Sequence, residues 1–278
     1  MKKIFLSFAD SRMSSTLNRI CKQAKGMKIY DEIIVADEGM LFEDFKNEFK
    51  DKLKKDVRGY GYWCWKPQII LQILETMNDG DILQYTDAGC HLNRKGRNKL
   101  EEYFKRVNNS DFGLLVFQSY APQFHDGRVL CDLSVYKYIK SDLLEYMGML
   151  NQPSVLTSPM IEAGVIFIKK TPQTVKIIKK WLSVYKVNFD LASDSPSKIE
   201  NVSGFIEHRH DQAIFTLICM NEKIETCSAY EYWYPKPPKA DWRALKYSPI
   251  LAKRDKNLGV FHFLGRIFNR IKRMLLNN

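Results

Sequence analysis

Short apolar runs alternate with amphipathic stretches along most of the chain, and this alternation sets the expected architecture. Lys3 to Phe8 is an apolar run that reads as a first strand, followed by a polar turn at Asp10 to Ser14 and a helical stretch from Leu17 to Lys25. Asp31 to Ala36 contains Ile33-Ile34-Val35, the continuous β-branched pattern of a strand in a sheet covered on both faces. Strand, helix and strand in that order predict a βαβ unit. Leu41 to Lys55 has helical spacing and ends at the Arg-Gly-Tyr-Gly corner of Arg58 to Gly61. Pro67 sits where the first turn of a helix tolerates it, and Ile70, Ile73, Leu74 and Met77 give that helix an apolar stripe. Further strands are expected at Asp81 to Tyr85, Phe112 to Phe117 and Gly164 to Ile168. Further helices are expected at Leu100 to Val107, Leu143 to Leu150, Thr171 to Tyr185 and Asp211 to Met220. Ser193 to Ser203 reads as loop, and the aromatic and proline-rich stretch Tyr230 to Pro249 resists regular assignment. The whole predicts an α/β fold with a mostly parallel central sheet flanked by helices.

Composition narrows the class. The chain of 278 residues is 45% hydrophobic and 13% aromatic, which places it among globular proteins with one substantial core. Lys and Arg number 43 against 32 Asp and Glu, a net charge of +11 that suits anionic partners: nucleic acid, acidic lipid or a diphosphate. Much of that charge also fits a solvated surface. The opening MKKIFLSFAD reaches Asp10 and Arg12 too soon for a signal-peptide core and is expected to be a strand. No run approaches the roughly 20 apolar residues of a membrane span. Six scattered cysteines without a C-x-x-C pair argue against a zinc site and fit reduced thiols in a cytosol.

Four segments carry candidate chemistry. In Gly80 to Cys90, an apolar strand delivers Asp87 into a small-residue turn, and ligands of open α/β sheets bind outside the carboxyl ends of strands. A carboxylate there suits a divalent cation bridging two phosphates, or alternatively caps the turn. Arg58 to Pro67, RGYGYWCWKP, packs two glycines, four aromatics and two cations before a helix. Glycines admit a ligand to the backbone, aromatics stack on rings, and Arg58 or Lys66 can meet phosphate, while at least one tryptophan fills core. His208 to Gln212 gathers polar groups at a helix start, where Asp211 either caps the helix or projects into a site. Glu162, before an expected Ala163-Gly164 turn, is the other carboxylate that could face a donor or acceptor, and either it or Asp211 could instead be a structural polar group.

Taken with their order, these segments resemble the GT-A glycosyltransferases, especially the glycogenin and bacterial lipopolysaccharide galactosyltransferase group. Tyr85-Thr86-Asp87-Ala88-Gly89 is similar to their Tyr-Leu-Asp-Ala-Asp, Glu162-Ala163-Gly164-Val165-Ile166 to their Asn-(Ser/Ala)-Gly-Val strand, and His210-Asp211-Gln212 to their Asp-Gln helix start. Val260-Phe261-His262-Phe263-Leu264-Gly265 is similar to their late His-Phe-x-Gly motif. The Trp-x-Trp-Lys-Pro string with Thr-Asp-Ala-Gly also resembles bacterial polysaccharide-biosynthesis transferases. The resemblance implies a GT-A, Rossmann-like fold and transfer of a sugar, a hexose first, from a nucleotide-sugar donor, a UDP-sugar first.

It also implies roles. Asp87 and His262 would hold manganese or magnesium, although Gly89 stands where the second aspartate of Asp-x-Asp is expected. Thr86, Asp87, Ala88, Arg58 and Lys66 would meet the donor, and Ser7, Asp10 and Arg12 its base and ribose; Asp10 alternatively caps a helix through an Asp-Ser turn. The acidic residue of the family's helix start, which lies near the transferred sugar, corresponds here to Asp211. It is the first candidate for the catalytic carboxylate, with Glu162 the second; in an inverting reaction one of them deprotonates the acceptor hydroxyl, and in a retaining reaction the leaving phosphate does so instead. Gly265 to Leu276 reads as a basic amphipathic helix, with Arg266, Arg270, Lys272 and Arg273 between apolar positions, suited to anionic lipid or to docking on the domain. The expected organisation is a catalytic domain over 1–265 and this helix over 266–278. The expected setting is cytoplasmic, peripheral on the inner membrane face, with a lipid-linked glycan acceptor in surface lipopolysaccharide or capsule synthesis and no nucleic acid. Competing readings are a nucleic-acid-binding protein, which the charge and aromatic-basic stretch permit, and a transferase fold that binds without catalysing.

Overall fold

The alternating pattern folds into a six-stranded sheet with helices on both faces, seen in a computed structural model that describes residues 1–120, 132–233 and 245–254. The strands are β1 (Lys3–Phe8), β2 (Glu32–Ala36), β3 (Ile82–Thr86), β4 (His91–Leu92), β5 (Leu114–Gln118), β6 (Ile161–Lys169), β7 (Thr226–Ser228) and β8 (Ile250–Leu251). The helices that matter here are α1 (Ser14–Met27), α2 (Glu43–Glu48), α3 (Trp65–Thr76), α4 (Arg97–Asn109), α5 (Ser141–Tyr146), α6 (Pro172–Val187) and α7 (His210–Asn221). In the main sheet the order is β2-β1-β3-β6-β5-β7. The β2, β1 and β3 strands run parallel, as do β5 and β7, and β6 alone is antiparallel to its neighbours β3 and β5. This is the mostly parallel α/β sheet that the pattern predicts.

Burial explains the layers. On one face, α3, α6 and α7 press Ile70, Leu74, Ile178, Trp181, Ile214 and Phe215 onto the sheet, and on the other α1 and α4 contribute Ile20, Ala24, Leu100 and Phe104. Both faces of β3 are therefore dry, and all five of its residues are buried. Local chemistry sets the helix ends. Thr171 caps α6 in a reciprocal capping box with Thr174, ahead of Pro172, and Lys28 closes α1 in a left-handed conformation with φ 53°.

Two expectations change. The helix expected over Leu41 to Lys55 is confined to Glu43–Glu48, because Phe45 and Phe49 anchor in the core while the charged run beyond them supplies no apolar stripe. Glu162 and Gly164 lie inside the longer β6 rather than before a turn. Pairing between β5 and β6 shifts register between Leu115 and Phe117, and such irregularities re-aim side chains beside sites. The short β7 and the β4–β8 ribbon are additions to the expected pattern, since two or three residues carry no period. The motif around His262 and the 266–278 helix lie outside the described residues.

The β4–β8 ribbon docks through backbone contacts. Asn93 Nδ2 donates to Lys246 O at 2.9 Å and Ser248 O at 2.8 Å, and Asn93 N–H donates to Pro249 O at 2.8 Å. A Cβ on Gly96 would sit 2.2 Å from Pro249 N and 2.4 Å from Ser248 C, atoms that cannot swing aside. Gly96→Ala is therefore expected to destabilise by about 1–3 kcal/mol and to lower the melting temperature by roughly 3–10 °C. An unchanged melting temperature in thermal unfolding would contradict the packing described.

Candidate active site

The dense aromatic stretch forms a left-handed turn. Gly59, Tyr60, Gly61, Tyr62 and Trp63 have φ of 62°, 53°, 89°, 49° and 60°, a conformation that costs non-glycine residues on the order of 1 kcal/mol each. Packing holds it. Trp65 Nε1–H donates to Gly59 O at 2.9 Å, Tyr185 Oη–H donates to Tyr62 O at 2.8 Å, Trp65 stacks on Phe8 with centroids 4.0 Å apart, and Trp63 stacks on His210 at 5.6 Å. A Cβ at Gly59 would meet the Trp63 ring at 2.5 Å, so glycine is required there. The turn leads directly into α3 and directs Lys66, in its first turn, toward the sheet.

Lys66 is the centre of the site. Its Nζ donates to Asp211 Oδ2 at 2.6 Å and to Ala163 O at 3.2 Å, and lies 3.3 Å from Asp87 Oδ1. Its side chain is 3% exposed, Asp211 is 9% exposed, and Asp87 is 41% exposed, so the pair Lys66–Asp211 lies beneath a carboxylate that faces solvent. Burial opposes the charge on Lys66, but Asp211 and Asp87 outweigh it and its pKa is raised. Burial pushes the Asp211 carboxyl up to about 6, against the pull of Lys66. Above that pH the Asp211 carboxylate faces the Lys66 ammonium.

Asp87 is fixed from three sides. Tyr85 Oη–H donates to its Oδ1 at 2.8 Å, its N–H donates to Gly164 O at 2.8 Å, and Lys66 faces the same Oδ1. Gly164 leaves the space beside it, since a Cβ there would be 3.1 Å from Asp87 Oδ2. Two residues earlier on β6, Glu162 accepts from Ser119 Oγ at 2.6 Å and from Gln212. Burial raises the Glu162 pKa, with Ser119, Arg209 and Arg254 acting against that rise. Arg254 follows β8, so the ribbon brings a cation to this carboxylate.

The other expected residues separate. Ser7 is fully buried and its Oγ has no hydrogen-bond partner, and Thr86 is equally buried, accepting from Gln84 Nε2 at 3.0 Å. Asp10 caps the turn after β1 and accepts from Arg12 Nε at 2.8 Å and Nη2 at 2.9 Å; hydrogen bonding from Arg12 lowers its pKa, and Arg12 also donates to Lys55 O. Arg58 pairs with Asp194 at 3.3 Å on the surface, and Asp194 Oδ1 lies 3.5 Å from His210 Nε2. Ala88 is buried and presents its carbonyl to Arg19. Lys66, Asp87 and Asp211 are thus brought into contact, Glu162 adjoins them along β6, and Asp10 and Arg12 stand at the end of the neighbouring β1. Tyr85, Ser119, Arg254 and Arg19 join the site through contacts between distant segments, which leave no local signal.

Among the described residues no three His, Cys, Asp or Glu side chains converge as metal ligands. Asp87 is a single carboxylate with Oδ1 engaged by Tyr85 and Lys66, and Gly89 adds no side-chain ligand. This set does not fit a divalent cation held by the described residues alone, and His262 lies outside them.

Removing Lys66 leaves Asp211 buried without its counter-ion. Lys66→Met is expected to cost about 3–5 kcal/mol at pH 8 and less at pH 5. The sign follows from the raised carboxyl: a folded-state pKa above the unfolded one gives stability that is full below the unfolded value and lost as pH rises through the folded value. Without Lys66 the Asp211 pKa rises further, so thermal unfolding at the two pH values should show a larger deficit at pH 8. Addition of Asp211→Asn should recover part of it, and equal deficits at both pH values would contradict the pairing.

No family model and no curated protein matches the sequence. Among solved structures, the chain is similar to a glycosyltransferase involved in glycosylation of the major capsid of PBCV-1, at 13% identity over 93% of this chain and 98% of that one, with a TM-score of 0.47. It is similar to mouse xyloside xylosyltransferase 1 at 9% identity over 90% and 96%, TM-score 0.47. It is also similar to the galactosyltransferase LgtC, in complex with donor and acceptor sugar analogues, at 14% identity over 89% and 86%, TM-score 0.43. The three structures are glycosyltransferases.

Proposed function

We propose that this chain is a glycosyltransferase that takes a nucleotide-sugar donor at the carboxyl ends of β1 and β3. The observation that carries this reading is Asp87: a part-exposed carboxylate at the end of a buried strand, held by Tyr85 and Lys66, beside the gap left by Gly164 and the second carboxylate Glu162. Open α/β sheets bind ligands at that edge. On this reading Asp10 and Arg12, at the end of β1, meet the base and ribose.

The two catalytic candidates take different roles. Asp211 is committed to Lys66 and acts as a positioning residue for Asp87 through that ammonium. Glu162 is only partly buried, and its raised pKa favours proton acceptance. In an inverting transfer, an acceptor hydroxyl gives its proton to Glu162 as its oxygen bonds to the anomeric carbon, and the bond from that carbon to the donor diphosphate breaks, with the electron pair leaving on phosphate.

A UDP-hexose donor, a lipid-linked glycan acceptor and a place at the inner face of the cytoplasmic membrane complete the reading. Their support is the sequence: the motif resemblance, the +11 charge and the basic 266–278 segment. The five described cysteines are free thiols, as in a reducing compartment. No helix among the described residues is long and apolar enough to cross a membrane.

Calorimetric titration with UDP, GDP and CDP, each with manganese and with chelator, tests the donor class. Asp87→Asn is expected to weaken the nucleotide that binds, or to abolish transfer, while the melting temperature stays within a few degrees, as suits a part-exposed side chain; loss of the fold would assign Asp87 a structural role. Glu162→Gln is expected to lower kcat by about 10²–10⁴-fold with nucleotide affinity within roughly threefold. Wild-type kcat in that variant would remove Glu162 as the proton acceptor.

A further inference from the structure

The turn that carries Asp87 is gripped from the opposite face of the sheet. Arg19, in the middle of α1, donates from Nη2 to Ala88 O at 2.7 Å and from Nη1 to Cys90 O at 2.7 Å. Gln23, one helical turn on, accepts from Leu92 N–H at 3.0 Å and bonds the His91 ring at 3.1 Å, so this edge of α1 holds the chain from Ala88 to Leu92. α1 packs through Ile20 on the face built from Phe5, Ile82 and Phe167, whereas Asp87 extends from the Tyr85 side, where α3 and α7 supply Lys66 and Asp211.

The peptide group is planar and trans, so its N–H points opposite to its C=O. With Ala88 C=O held toward α1, the Gly89 N–H of the same peptide points toward the Asp87 side. That N–H donates to no described residue, and Gly89 is partly exposed. A glycine here carries no carboxylate to repel an anion, and a backbone N–H is a strong partner for phosphate oxygen.

We propose that Gly89 N–H is a binding group for the donor diphosphate and that Arg19 is the residue that positions it. The proposal rests on the nucleotide-sugar reading and deepens it: part of the work expected of a second carboxylate and its cation passes to a backbone amide aimed by a guanidinium on α1. Arg19 touches no substrate. Its contribution is the orientation of one peptide plane.

The experiment compares a nucleoside diphosphate with its own nucleoside. Wild-type protein is titrated with UDP, GDP and CDP, and the one that binds is then compared with uridine, guanosine or cytidine. Arg19→Met is expected to weaken the diphosphate about tenfold and the nucleoside by less than about threefold, a split that general loosening of the fold would not produce. Arg19→Lys, which keeps the charge but holds one carbonyl at a time, is expected to fall between and serves if the methionine variant fails to fold. In ¹⁵N-glycine-labelled wild type, the Gly89 amide proton should move downfield when the diphosphate is added. Equal losses for diphosphate and nucleoside, no loss for either, or an unmoved Gly89 resonance would overturn the proposal while leaving the donor reading intact. Absence of binding by all three diphosphates to wild type would overturn both.

Discussion

A buried ammonium fixes this structure around one point. Lys66 loses its water in the core, a cost of several kcal/mol for an ion in a protein interior, and only closely placed oxygens offset it. The oxygens come from three other segments: Asp211 on α7, the carbonyl of Ala163 on β6, and Asp87 after β3. Satisfying one cation therefore aligns four elements that are far apart in the chain, and Asp87, the most exposed of the group, inherits a fixed position from the buried members.

The remaining architecture supplies and relieves that constraint. The left-handed turn at 59–63 is costly in isolation, yet it brings two tryptophans onto Phe8 and His210 and sets Lys66 at the start of α3. The antiparallel β6, set between β3 and β5, brings Ala163, Gly164 and Glu162 alongside Asp87; a parallel strand there would place other residues at the carboxyl edge. On the far face, Arg19 holds the same turn by its carbonyls. The site is thus held from both layers, which suits a constellation whose geometry must persist before a ligand arrives.

What can be read from sequence follows from range. The strand that ends at Asp87 is legible because an apolar run broken by Asp-Ala-Gly is a local pattern, and the helix start at Asp211 is legible for the same reason. The commitment of Lys66 is not, since its partners lie at Asp87, Ala163 and Asp211, and a lysine among aromatics reads equally as a phosphate ligand. Glu162 is expected at a turn because Ala163-Gly164 favours one; the sheet instead carries this pair inside β6, with the register shift taking up the irregularity. Thr86 and Ser7 have motif positions that suggest contact with a donor, but alternation on a strand turns Thr86 toward Gln84 and leaves Ser7 in the core. Arg19 lies on an ordinary amphipathic helix, and only the tertiary fold shows what it grips.

In the proposed function, Lys66, Asp211 and Asp87 together support transfer from a nucleotide sugar. The most direct test is to incubate the protein with a panel of UDP-, GDP- and CDP-sugars and to quantify the free nucleoside diphosphate by chromatography, with Asp87→Asn as the comparison. The wild type is expected to release diphosphate from at least one donor, and the variant to lose that release. Release from none, or release that survives in Asp87→Asn, would contradict the proposed function.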